Sequence, residues 1–417
     1  MNTFNKISVV GLGYIGLPTA AVFADQGVEI VGTDKNQDVV DSINSGKPHF
    51  GEPNLDALVR RVVENGKLSA NTEVQAAEAF LVAVPTPLLE TEGKGFSADL
   101  SYVQAAAEAI APVLEKGNLV ILESTSPVGT TEKMAQWMAD LRPDLSFPND
   151  KGELSDINVA HCPERVLPGK IIEEVVNNAR VIGGMTRKCA QRALSLYRIV
   201  VRGECKVTNA RTAEMSKLTE NAYRDVNIAF ANELSVICDK HKINVWELIQ
   251  MANLHPRVEI LSPGPGVGGH CIAVDPWFIV DGAPEEARLI RTAREINDAK
   301  PEFVCEQVAE RARSLVKPVI ACLGLSYKAD VDDLRESPAL EIVARLADMK
   351  VAALLVVEPH ISVLPKDLTD RGLELTDFDT ALEQANMVLL LVDHGAFMHI
   401  DRDLIKDKFV IDTRGAW

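Results

Sequence analysis

The stretch Ile7-Ser-Val-Val-Gly11-Leu-Gly13-Tyr-Ile-Gly16-Leu-Pro18 decides how this chain begins. A short apolar run leads at once into G-x-G-x-x-G and then into helix-forming residues, with Pro18 tolerable in a first helical turn. A glycine hexamer alone is a weak signal. Between a strand and a helix it has a mechanical meaning: Gly11 permits a tight turn, Gly13 lets backbone approach a pyrophosphate, and Gly16 lets helix and strand close together. The helix start then offers N–H groups and the positive end of its dipole to phosphate. Asp34 closes the next apolar run, VEIVGTD, about 20 residues after the glycines, where a carboxylate accepts from ribose hydroxyls and repels a 2′-phosphate. NAD is therefore expected rather than NADP, with the adjacent Lys35 working against that preference.

Working outward, short apolar runs at 7–10, 30–33, 80–84 and 119–122 read as strands, and 18–26, 55–65, 102–114 and 132–141 as helices between them. Such alternation means a parallel sheet covered by helices on both faces. The middle differs. From 209 to 241 there is neither Gly nor Pro, and Met215, Leu218, Ala222, Val226 and Ala229 recur at helical spacing. One helix of roughly 30 residues, about 45 Å, is expected there. A second helical stretch over 284–316 should break near Pro301. After 319 the alternation returns, with strands at 319–323, 352–357, 387–392 and 409–411 and helices at 338–348 and 380–384. The fold class is α/β: two doubly wound, Rossmann-like parallel-sheet domains (1–207 and 301–417) joined by a long central helix within a segment, 208–300.

At 417 residues two or three domains are the prior. The 43 basic against 60 acidic side chains give a formal charge of −17, which argues against nucleic acid as a partner. Seven dispersed cysteines without a C-x-x-C pair suggest neither a metal ribbon nor a redox motif, and no metal is expected. The first residues, MNTFNK, lack a charged leader followed by an apolar stretch. The apolar runs at 351–357 and 387–392 are too short to span a bilayer. No membrane association and a cytoplasmic location are the expectations.

Ligands of open α/β sheets sit outside the carboxyl ends of strands. Thr86, in VPTP after the third strand, and Thr125, in ESTSP after the fourth, can face a cofactor there or satisfy their own turns. Pro263-Gly-Pro-Gly-Val-Gly-Gly-His270-Cys271 is an unusual loop: four glycines permit close backbone approach and two prolines stiffen it. A cysteine at its end suits covalent chemistry, with His270 and Asp275 as local partners. Plain alcohol oxidation needs no nucleophile, but carrying an aldehyde on to an acid does. Lys217, Asn221 and Arg224 share one face of the long helix, which is either solvated or lines a cleft. In HCPER, Cys162 is a rival nucleophile without a glycine loop, Glu164 a group that could position water, and Arg165 a holder of phosphate or hydroxyl groups. Tyr327-Lys328 and Arg335 follow another strand-end turn, where a second nucleotide could lie.

In this order, GLGYIGLP, ESTSPVGT, CPERVLPG, AEMSKLTENAYRDVNIAFANE, HPRV, PGPGVGGHCIAVDP and GLSYK…DDLRESP resemble the nucleotide-sugar 6-dehydrogenases, the UDP-glucose/GDP-mannose dehydrogenase family, over essentially the whole chain. The resemblance implies four-electron oxidation of a UDP-sugar at C6 with two NAD. Cys271 would be the thioester-forming nucleophile, and Lys217 the general acid/base supported by Asn221. Asp275 would assist proton or water activation, helped by Glu164 and Thr125. NAD contacts would come from the Gly11, Gly13 and Gly16 turn, Tyr14, Ile15, Asp34, Thr86, Thr125 and Arg335. The UDP-sugar would meet Arg165, Val166, Lys217, Asn221, Arg224, His255, Gly268, Tyr327 and Lys328, with Arg257 reaching in from a neighbouring subunit of a homodimer or larger assembly built on the long helix. CPERVLPG, ANLHPRV and GGHCIAVDPWFI look closest to members acting on UDP-N-acetyl-D-mannosamine for surface polysaccharide of the enterobacterial common antigen type. UDP-glucose, UDP-N-acetylglucosamine and UDP-N-acetylgalactosamine are the alternatives within the group. Outside it stand a two-electron alcohol or hydroxyacid dehydrogenase and a non-catalytic sensor.

Overall fold

The computed structural model describes residues 4–91, 95–269 and 271–417, so His270 lies outside the described residues. The chain divides into two compact units, Met1–Glu220 and Asn221–Trp417.

The first unit is built on an eight-stranded sheet. Its strands are β1 (Lys6–Val10), β2 (Glu29–Thr33), β3 (Leu68–Asn71), β4 (Ala79–Val82), β7 (Leu119–Leu122), β8 (Asn158–His161), β9 (Arg180–Gly184) and β10 (Cys205–Asn209), while β5 (Leu88–Thr91) and β6 (Gly95–Ala98) form a separate antiparallel pair. The order is β10-β9-β8-β7-β4-β1-β2-β3. All neighbours run parallel except β8 and β9. β1 lies between β2 and β4, with Val10 opposite both Thr33 and Val82, so the direction of winding reverses there and a crevice opens at the end of β1. The central strands β4 and β7 are apolar throughout because both faces are covered. Val9, Leu81 and Ile121 enter one core with Leu17 and Phe23, whereas Val10, Phe80 and Val120 enter another with Val103 and Met134. Period-2 alternation between two dry faces leaves no polar side to the pattern.

The second unit repeats this on a smaller scale. β11 (Val319–Leu323), β12 (Ala353–Val357), β13 (Met387–Leu390) and β14 (Phe409–Asp412) form an all-parallel sheet in the order β12-β11-β13-β14, again with the first strand at the reversal. Ile320 and Leu389 pack with Ile342 and Leu346 on one face, Leu323 and Leu390 with Leu382 and Phe397 on the other. Ser337 starts the Pro338–Met349 helix, its hydroxyl accepting the Leu340 N–H with Pro338 in the first turn.

The helix Ala210–His241 carries the chain from the first unit into the second and has the length the sequence predicts. The expected break at Pro301 is absent: one helix runs Arg288–Ala312 with the proline inside it. Proline costs this helix one backbone hydrogen bond. Asn297, Lys300, Pro301, Val304 and Val308 are all buried, and that packing outweighs the lost bond. Among the described residues no helix is long and apolar enough to cross a membrane.

Candidate functional site

At the end of β1 the glycines carry distinct burdens. Gly11 has φ +91°, and a Cβ on it would sit 2.4 Å from the Ala83 carbonyl oxygen. A Cβ on Gly16 would lie 1.8 Å from the Gly11 oxygen. The chain itself demands both. Around Gly13 nothing lies within 4 Å of where a Cβ would be, so this glycine is open to an incoming group. The Asp34 carboxylate accepts the Leu12 N–H at 3.1 Å and the Asn36 N–H at 3.0 Å, which fixes the turn against the end of β2. No side chain caps the Gly16–Asp25 helix at Ile15, and the exposed Tyr14 ring lies 4.2 Å from that of Phe50. Thr86 and Thr125 come together at the ends of β4 and β7, the Thr86 hydroxyl donating to the Thr125 carbonyl at 2.6 Å. This cradle fits a dinucleotide: bare backbone for the pyrophosphate and a carboxylate for the ribose. Asp34→Ala is expected to raise the KM for NAD about tenfold, the worth of one or two hydrogen bonds, with kcat nearly unchanged. An NAD KM equal to that of the parent would remove Asp34 from the cofactor site.

Past the ends of β7 and β8 and at the start of β9 lies a buried polar cluster that the sequence pattern did not reveal. Glu164 accepts the Arg165 N–H at 2.8 Å and pairs with Arg180, both side chains being almost wholly buried. The Arg180 guanidinium lies over the Tyr197 ring, 5.1 Å from its centroid, and the Tyr197 hydroxyl donates to Glu123 at 2.6 Å. Burial pushes the Glu123 carboxyl up to about 7 and the Cys162 thiol up to about 12. Cys162 is fully buried and is thus no rival nucleophile. Arg165 is half-buried, paired with Glu220 at 2.7 Å and donating to the Ser216 hydroxyl at 3.3 Å; Val166 and Lys217 are half-buried in the same unit.

In the second unit Cys271 is half-buried, and its carbonyl accepts the Asp275 N–H at 2.9 Å where the Asp275–Gly282 helix begins. The Asn221 amide donates to the Asp275 carboxylate at 2.5 Å, and both are buried. Cys271, Asp275 and Asn221 are therefore brought together. The approach to Cys271 is anchored as well. The Gly264 N–H donates to Asn232 at 2.8 Å, Asn232 to Asn297 at 2.8 Å, and Asn297 to Asp225 at 2.8 Å, while Asp225 is paired with the buried Arg294 at 2.6 Å. Gly268 is required by the backbone, since a Cβ on it would sit 2.4 Å from the Glu336 carbonyl oxygen, and a Cβ on Gly269 would sit 3.0 Å from the Tyr327 ring. Lys328, Arg224, His255 and Arg257 are exposed, with the Arg257 N–H donating to His255 Nδ1 at 3.3 Å. Arg335, also exposed, is bidentate to Asp333. Sequence reasoning missed Arg414. It follows β14 in DTRG, pairs with Asp393 at 2.8 Å, and lies against Gly264 of the cysteine loop. The strand-end rule that singled out Thr86 would have found it.

Residues 5–201, 211–299 and 321–417 match the NAD binding, central and UDP binding domains of the UDP-glucose/GDP-mannose dehydrogenase family. An NDP-N-acetyl-D-galactosaminuronic acid dehydrogenase of Ralstonia nicotianae is 62% identical over 99% of this chain and 96% of its own. A UDP-N-acetyl-D-mannosamine dehydrogenase of Campylobacter jejuni is 58% identical over 97% of this chain and 99% of its own. A solved UDP-D-ManNAc dehydrogenase of Pyrococcus horikoshii superposes with a TM-score of 0.86 at 39% identity, covering 99% of this chain and 96% of that one. A dinucleotide cradle at the head of one unit, a glycine-loop thiol in the other and full-length matches of this strength place the chain in the UDP-glucose/GDP-mannose dehydrogenase family, as an NAD-dependent UDP-sugar dehydrogenase.

Proposed function

We propose that this enzyme oxidises C6 of UDP-N-acetyl-D-mannosamine to the uronate, using two NAD and one water, with Cys271 holding the carbon between the two oxidations. The observation that carries the thiol route is the anchoring of Cys271 between a stiffened glycine loop and the Asp275–Gly282 helix, with Asn221 bonded to Asp275. NAD supplies the hydride acceptor. The first oxidation gives the aldehyde. The Cys271 sulfur adds to it, the hemithioacetal loses hydride, and water cleaves the resulting thioester to release acid and thiol. Lys217 is the general acid/base, Asn221 steadies the same oxygen, and Asp275 with Thr125 assists the water. Glu164 has one oxygen on the Arg165 N–H and the other on Arg180, so its part is to orient Arg165 toward substrate. Tyr14, Ile15, Asp34, Thr86, Thr125 and Arg335 face NAD; Arg165, Val166, Arg224, His255, Gly268, Tyr327 and Lys328 face the UDP-sugar.

The product would serve surface polysaccharide of the enterobacterial common antigen type, made in the cytoplasm. The division 1–207, 208–300 and 301–417 then reads as NAD domain, dimerising segment with the nucleophile loop, and UDP domain. Tyr223, Phe230 and Ile237 are exposed seven residues apart along the Ala210–His241 helix, which supports a homodimer on that face with Arg257 donated across it. Sedimentation of the full chain reads this directly, and a monomer at micromolar concentration refutes it.

A panel of UDP-sugars with NADH counted per acid tests the reading. UDP-N-acetyl-D-mannosamine should give the highest kcat/KM, with two NADH per acid. Fastest turnover of UDP-N-acetylgalactosamine, the reading favoured by the 62% identical relative, would move the substrate assignment. One NADH per product would remove the thiol route and leave a two-electron dehydrogenase.

A further inference from the structure

The second sheet repeats the turn chemistry of the first at its own point of reversal. Gly324 has φ +91°, as Gly11 has, and its N–H donates to Val357 at 2.8 Å as Gly11 does to Thr33 at 2.8 Å. Glu358 closes β12 as Asp34 closes β2. One of its oxygens accepts the Leu325 N–H at 2.7 Å and the Ser326 N–H at 3.1 Å, and the other accepts the His360 N–H at 3.0 Å. The two acids part company in exposure. Asp34 is half-buried, whereas Glu358 is buried beneath His394, which is wholly buried. A carboxylate so covered is withdrawn from any ribose, so this turn serves a different end.

His394 joins both ends of the following loop. Its Nδ1 accepts the Asp330 N–H at 2.9 Å. The ring proton therefore sits on Nε2, which faces Glu358 at 3.0 Å and the Ser326 hydroxyl at 3.3 Å. Ser326 donates in turn to the Lys328 carbonyl at 2.7 Å, and the Asp330 carboxylate accepts the Gly395 N–H at 2.9 Å. Residues 325 to 330 are thus tied at their start through Glu358 and at their end through His394, with Tyr327 and Lys328 between the ties.

We propose that the buried Glu358–His394 pair is a positioning device for the nucleotide site, locking the 325–330 loop in the conformation that presents Tyr327 and Lys328 to uridine diphosphate. This rests on the reading above that Tyr327 and Lys328 meet the UDP-sugar. Two other roles fail on the same geometry. Asp330, His360 and His394 lie close enough to suggest a metal site, but the Nδ1 lone pair of His394 is spent on the Asp330 N–H. A carboxylate–histidine dyad could act as a general base, but that needs the same lone pair and access to substrate, and His394 has neither.

The experiment measures UDP binding by calorimetry and steady-state kinetics of the full-length enzyme in His394→Ala, His394→Asn, His394→Gln and Lys328→Ala. His394→Ala should weaken UDP binding about tenfold, the consequence of two buried ties lost. The KM for UDP-sugar should rise by more than kcat falls, while the KM for NAD stays within about twofold. Asn keeps an acceptor for the Asp330 N–H and Gln a donor for Glu358, so each should recover part of the affinity. If the alanine variant does not fold, the Asn and Gln variants still decide, each being expected about threefold weaker for UDP than the parent. Parental UDP affinity in all the His394 variants that fold, beside a weakened Lys328→Ala, would overturn the clamp and leave the loop as the UDP site. Parental affinity in Lys328→Ala would instead overturn Lys328 as a UDP contact, and with it the reading on which the clamp rests.

Discussion

Cys271→Ser is expected to lower acid formation by at least about 10³-fold, the scale on which covalent catalysis collapses when its nucleophile is removed. Only a thiolate adds readily to the aldehyde near neutral pH, and a serine hydroxyl at the same place has no comparable ionised fraction. The first oxidation needs no nucleophile, so the variant should release a burst approaching one NADH per site and then stall at the aldehyde. A carbonyl trap should capture that aldehyde from the variant and not from the parent. Cys271 is half-buried, and replacing sulfur by oxygen there should cost no more than about 1 kcal/mol of stability, so a lost fold would not mimic the result. Two NADH per substrate at the parental rate would sink the thioester route outright, whichever UDP-sugar is used.

How much of this was legible in the sequence depends on the range of the interaction concerned. The glycine turn at Gly11, Gly13 and Gly16 is local: backbone conformation and strand–helix distance fix it, so the hexamer in context was enough. The buried parallel strands were legible because both faces are dry and the apolar runs are continuous. Their ends were not, since strand 80–84 stops at Val82 where pairing with β7 stops. Pro301 misled because a local propensity was weighed without the packing that overrides it. The Asn221–Asp275 bond joins residues 54 apart, and Glu358–His394 residues 36 apart. Nothing in either neighbourhood announces such a partner. The HCPER motif marks Glu164 as a group that could position water, and its partner Arg180 sits on the antiparallel strand β9, out of sight of that motif. Long-range pairing of buried charges is settled by topology, and no local pattern encodes it.

That buried cluster yields the second large effect, in stability. The Glu123 carboxyl titrates at about 7 in the folded chain against 4.5 when free, mainly because burial penalises its charge. A group whose folded value is raised contributes stability that is fully present below its unfolded value and is lost as pH rises through the folded one. Ionising Glu123 above pH 7 therefore costs the fold about 3 kcal/mol, at roughly 1.4 kcal/mol for each pH unit between 4.5 and 7. Glu123→Gln imitates the protonated acid: its carbonyl can still accept from the Tyr197 hydroxyl and no charge is buried. The variant should match the parent near pH 4.5, exceed it by about 1 kcal/mol at pH 5.5 and reach a plateau of about 3 kcal/mol above pH 7. Urea midpoints of the two proteins across this range give the difference directly. His161 supplies an opposing slope in both. Fully buried and pushed down to about 3 from 6.5, it withdraws stability as pH falls below 6.5 in parent and variant alike, so it cancels in their difference. A stability difference independent of pH would mean that Glu123 is ionised throughout and that Arg180 neutralises Glu123 and Glu164 together.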